Sequence, residues 1–209
     1  MPLRVTIFIK GLFLIFLFLG VASCDRKTNQ GAGGCGGDAG NSGLILCIDS
    51  ITPVYNGANT DNVDVQQGVD PATGCKTAGQ IEIFLDHTAT VVLSATLVHG
   101  ATQPTVGNTI VITHFTIDYL VNTGSTGPAI ASLAPNETIT VTTGATTSVD
   151  LSLMNTTQKE AYLAAVGSNP PAEAYTVTYT MYGKDQANRD VSARGFVEVL
   201  LANYINPCS

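Results

Sequence analysis

Tyr175-Thr-Val-Thr-Tyr-Thr-Met-Tyr182 decides the fold class. In an extended chain Tyr175, Val177, Tyr179 and Met181 fall on one face and Thr176, Thr178 and Thr180 on the other, the period of a strand with one face buried and one wet. A polar turn follows from Gly183 to Asp190, and Gly195-Phe-Val-Glu-Val-Leu200 resumes the alternation with Val197, Val199 and Leu201 inward, so the pair reads as a hairpin. The same period recurs upstream. Glu137–Thr142 and Thr147–Met154 set Ile139, Val141, Val149, Leu151 and Leu153 inward; Ile110–Val121 sets Val111, Phe115, Ile117 and Tyr119 on one side; Ile81–Val98 does so with Val91, Leu93, Ala95 and Leu97. Leu44–Ile51 is an apolar run ended by Pro53, and Asn56–Gly79 is a polar loop with room for a small strand at Asn62–Val65. Thr156–Val166 breaks the pattern: good helix formers, a Thr as cap and Gly167 as a stop predict one short helix crossing between sheets. Seven or so strands with one crossover helix predict an all-β fold, a single antiparallel β-sandwich.

The closing hairpin, Tyr175 to Tyr182 and Gly195 to Leu200, resembles the last hairpin of immunoglobulin-like and fibronectin type III-like domains. The likeness covers the final third of the chain and extends to the rest as pattern. It implies an immunoglobulin-like sandwich in which Tyr175, after Pro170-Pro171, takes the tyrosine-corner role. The chain departs from the immunoglobulin pattern in having no Trp and no cysteine pair placed to cross the sheets.

The N-terminus reads as an address. Arg4 and Lys10 precede the apolar run Gly11–Leu19, the n- and h-regions of a secretory signal. The run is shorter than the roughly 20 residues a membrane span needs. Val21-Ala22-Ser23-Cys24 follows directly and resembles the lipobox of bacterial lipoproteins. That resemblance implies cleavage before Cys24 and a thioether-linked diacylglycerol there, each buried CH₂ contributing roughly 0.8 kcal/mol to anchoring. The expected organisation is a signal peptide over 1–23, a lipidated Gly-rich tether over 24–43 and a β-sandwich over 44–209. The address is the cell envelope: the outer membrane, at its periplasmic face or on the cell surface, with the inner membrane left open because Asp25 resembles a retention signal of some enteric bacteria. The glycines of Gly31–Gly40 do not read as a dinucleotide-binding motif, which needs a strand before and a helix after.

Charge narrows the partners. The chain carries Asp+Glu 16 against Lys+Arg 9, a net −7, and loss of Arg4 and Lys10 with the signal takes this to −9. Such a surface repels phosphate backbones, so no nucleic-acid partner is expected. Beyond Cys24, four cysteines remain, and an even number in an exported chain predicts two disulfides with three pairings open. If the strands run alternately up and down, Cys75 before the second strand and Cys208 after the last share one pole. Cys75–Cys208 is then favoured, leaving Cys35–Cys47 to pin the tether to the first strand.

Signatures of chemistry are scarce. The sequence has no Gly-x-Ser-x-Gly, no His-Glu-x-x-His, no phosphate-binding loop and no haem-attachment motif. His87, His99 and His114 read as half-exposed residues in or beside strands, and Tyr119, Tyr179 and Tyr204 as core or rim. Asp61, Asp64 and Asp70, within Asn59–Asp70, offer the oxygen ligands Ca²⁺ takes, but their spacing matches no EF-hand and the competing reading is a solvated loop. No cofactor other than the lipid on Cys24 is expected, with calcium as the alternative. The functional expectation is a non-enzymatic adhesion, assembly or protein-binding module of the envelope, held to a membrane by lipid and working with an envelope protein partner. The alternative is a lipoprotein that binds a small ligand, metal or glycan.

Overall fold

A computed structural model describes residues 31–36, 43–55, 58–66, 82–97, 108–167 and 170–204. Ten strands and one helix follow in order: β1 (Gly31–Gly36), β2 (Leu44–Tyr55), β3 (Ala58–Asn59), β4 (Asn62–Asp64), β5 (His87–Leu97), β6 (Thr109–Val121), β7 (Ile139–Thr142), β8 (Thr146–Met154), α1 (Thr156–Val166), β9 (Glu173–Asp185) and β10 (Asp190–Ala202). The ladder runs β7-β6-β9-β10-β1-β2-β5-β8, with β3 beside β2 and β4 parallel to the end of β10. It folds over at β1, which has a single ladder pair with β10, Ala32↔Phe196, and pairs with β2 along its length. Two layers result, β7-β6-β9-β10 facing β1-β2-β5-β8, an all-β sandwich. Tyr119 and Tyr179 cross the gap, donating their hydroxyls to the β8 carbonyls of Leu153 at 2.6 Å and Ser152 at 2.8 Å.

The core is the inward half of the alternating pattern: Leu46, Ile48, Ile51, Val91 and Leu93 from one layer, Phe115, Ile117, Val177, Tyr179, Met181, Val197 and Val199 from the other. In β6 the phase differs from the regular alternation expected. A bulge between Ile112 and His114 shifts the register against β9, so Ile110 and Ile112 point inward before it and Phe115 and Ile117 after it, while Val111 turns outward. The predicted hairpin forms, with Tyr175↔Val199 and Tyr182↔Ser192 in one continuous register. Its turn is organised by the buried Asp185 carboxylate, which accepts the Ala187 and Arg189 backbone N–H groups and the Arg189 guanidinium.

Three local readings are corrected. Gly31–Gly36, taken from composition as tether, is a strand wedged between β2 and β10. A Cβ on Gly33 would strike the Ile48 carbonyl, and one on Gly34 would lie 2.5 Å from Arg194 O, so glycine serves here for close backbone approach rather than for freedom. The helix spans the expected residues and crosses between the layers, but its cap is Asn155, not a threonine. Asn155 Oδ1 accepts the Gln158 N–H at 2.9 Å and the Gln158 side chain accepts the Asn155 N–H at 3.0 Å, a capping box. Tyr175 donates its hydroxyl to Pro128 O at 2.8 Å, 47 residues upstream, rather than to a neighbour a few residues back as in a tyrosine corner. Cys35 and Cys47 are cross-strand neighbours of β1 and β2 and are joined by a disulfide. Cys24, Cys75, Cys208 and the 1–23 segment lie outside the described residues.

Candidate functional site

Among the described residues, two groupings of polar side chains bear on function, one sealed and one open. At one pole of the sandwich, α1 lies over β4 and the start of β5. A helix on a soluble surface normally turns its charges outward, yet this one buries Gln158, Lys159 and Tyr162. Lys159 is 0% exposed; its Nζ donates to Asp64 O at 2.8 Å and sits 2.7 Å from His87 Nδ1. His87, expected at a half-exposed surface, is 2% exposed and stacks on the Tyr55 ring at 5.1 Å. Burial dominates the electrostatics. It lowers the Lys159 pKa to about 8, lowers that of His87 to about 3 with help from the Lys159 charge, and raises that of Asp64 to about 7. The neutral His87 ring thus accepts a hydrogen bond from the Lys159 ammonium through Nδ1. This constellation would draw notice as an acid–base centre if it were open to a substrate. It is sealed: Lys159 and His87 are both buried, and the Lys159 ammonium is held between the Asp64 carbonyl and His87 Nδ1.

The calcium candidates divide accordingly. Asp64 is buried, with its Oδ1 accepting the Tyr204 N–H at 3.0 Å and its backbone carbonyl held by Lys159. Asp61 is half-buried, its carbonyl accepting the Leu200 N–H at 2.9 Å. Asp70 lies outside the described residues, as does His99. Among the described residues, no three His, Cys, Asp or Glu side chains converge to hold a metal ion. Among them too, no helix is long and apolar enough to cross a membrane.

The open site is on the outer face of the β6-β9-β10 layer, and the bulge in β6 builds it. Because the bulge inserts a residue, Thr113 and His114 are both exposed, and His114 stands directly beside Tyr182 of β9. The two rings stack with centroids 4.8 Å apart and planes within 10°. Gly183 lets the strands close up at this point, since a Cβ there would lie 2.6 Å from Val111 O. On the far side of Tyr182 stands Ser192, and one row along, Lys184 Nζ pairs with Asp190 Oδ1 at 2.9 Å. Together these line a depression of about 270 Å³. The same face carries Leu120, Phe196 and Leu200, whose cross-strand partners place them in the rows of Thr176, Thr178 and Ala174. Six large hydrophobic side chains are exposed among the described residues, and four of them, Leu120 at 69%, Phe196 at 43%, Leu200 and Tyr182, belong to this face.

Neither place was picked out in the sequence. Lys159 and His87 are 72 positions apart and carry no motif. The pocket had one signal, the isolated Gly183 at the end of a strand-patterned run, which marks close backbone approach as well as a turn. No known family model, curated protein or solved structure matches the chain.

Proposed function

We propose that this chain is a lipid-anchored, non-enzymatic binding module of the cell envelope that engages a protein partner through the outer face of its β6-β9-β10 layer. The observation that carries the reading is the gathering of Leu120, Tyr182, Phe196 and Leu200 on that one face. Apolar side chains left exposed on one face lower the free energy when a partner covers them. Sequestration of Asp64, His87 and Lys159 supports the non-enzymatic half, because the groups best suited to proton transfer are closed to substrate. The lipobox-like Val21–Cys24 supports the anchor and an envelope address, outer membrane before inner.

The experiment is mild crosslinking in native membranes followed by purification of wild type, Cys24→Ser and Phe196→Asp. The expected result is one partner recovered with wild type and lost with Phe196→Asp, which stays on the membrane, while Cys24→Ser leaves the membrane. Retention of Cys24→Ser would overturn the anchor, and an unchanged partner with Phe196→Asp would overturn the face.

A further inference from the structure

We infer that the His114–Tyr182 depression is a binding site for a single neutral pyranose ring, the sugar element of whatever partner the β6-β9-β10 face engages. This deepens the binding-module reading and rests on it. Centroids 4.8 Å apart between directly cross-strand residues mean that the rings stack across the strands, so His114 covers one face of Tyr182. The other face looks toward β10, where the partner is Ser192, a side chain too short to cover it. An aromatic face over a small polar floor attracts a ligand with a flat patch of C–H groups.

The rim sets the rest of the chemistry. The Ser192 and Thr113 hydroxyls both donate and accept, Asp190 accepts, and Lys184 donates. Lys184 and Asp190 are already paired at 2.9 Å, so the site presents no unbalanced charge. An anion would also meet a chain of net charge −7. A purely apolar ligand would strip water from this rim without replacing its hydrogen bonds. A pyranose satisfies both halves, with C–H groups on one face and hydroxyls around its edge. The volume, about 270 Å³, lies just under the range of roughly 300–1,000 Å³ for small-molecule pockets, which fits one ring at a time.

The test is saturation-transfer NMR on the full chain in detergent, with glucose, galactose, mannose and N-acetylglucosamine presented separately, and p-cresol as an aromatic probe. At least one sugar should receive saturation, with a Kd on the order of 1 mM. Tyr182→Ala should weaken it at least about tenfold, equivalent to about 1.4 kcal/mol. Ser192→Phe, which keeps the ring but covers its open face, should do the same, and Ser148→Ala on the opposite layer should not. Circular dichroism of both pocket variants checks that they are folded. Absence of transfer from every sugar, or unchanged transfer in both folded pocket variants, overturns the inference. Transfer from p-cresol alone also overturns it, because the site then takes an aromatic side chain, and the protein-partner reading stands without the sugar.

Discussion

Replacing Lys159 by Met should remove an unusual response to alkali. In the folded chain burial holds the Lys159 ammonium at a pKa of about 8, against an ordinary value of 10.5 in the unfolded chain. Between those values the unfolded chain binds more protons than the folded one, so this group makes stability rise with pH. The full interval is worth about 3 kcal/mol, at about 1.4 kcal/mol per pH unit. The buried tyrosines act in the opposite direction. Their hydroxyls are pushed up, Tyr162 to about 12, so they cost stability only above the ordinary value of 10. The interval from pH 8 to 10 therefore belongs to Lys159. Urea unfolding at several pH values across it, followed by circular dichroism, should show wild type gaining about 2–3 kcal/mol while Lys159→Met stays level. A wild type that is level or falling there, with Lys159→Met indistinguishable from it, would refute the sealed cluster.

The other expectations concern neighbouring parts of the same structure. His87, held at about 3 against 6.5, contributes stability that is lost as pH falls from 6.5 toward 3; Asp64, raised to about 7 from 3.8, contributes stability that is lost as pH rises through that range. The two nearly offset between pH 4 and 6.5, so Asp64→Asn should expose a rise of about 3 kcal/mol with pH there, and a flat urea profile would contradict it. Gly183→Val should cost about 1–3 kcal/mol in urea unfolding, because the new side chain meets backbone at Val111 and Ile112 rather than a movable side chain. Reduction of Cys35–Cys47, which closes a separation of 12 residues, should lower stability by about 3 kcal/mol, read as a shift of the urea midpoint with and without reductant. Asn155→Ala removes one half of the capping box and should cost about 1 kcal/mol by the same assay.

The regular parts of the fold were legible because burial on one side imposes a period of two. Tyr175 to Met181 and Val197 to Leu201 could face inward in only one register, and the structure places them there. The bulge in β6 was not legible. Either parity of Ile110–Val121 offers apolar residues, so nothing local marks where the phase changes, and the change depends on Gly183 across the ladder. Gly31–Gly36 misled for a related reason. Composition reports the freedom of a glycine-rich chain but not the backbones of Ile48 and Arg194 that press on it. Lys159 sits in a run of good helix formers where a lysine reads as solvated, and only the folding of α1 over His87 and Asp64 shows it is buried. The candidate pocket inherits all of this. Its residues come from three strands and a bulge, so it exists only at the level of strand pairing.

The central claim, that the β6-β9-β10 face meets a partner, is tested most directly by a photo-crosslinking amino acid installed at Phe196 and, in a separate protein, at Ser148 on the opposite layer, with irradiation of intact cells. A discrete crosslinked species from position 196, absent from position 148, is the predicted result. Equal crosslinking at both positions, or none at 196 with the protein correctly anchored, would contradict it.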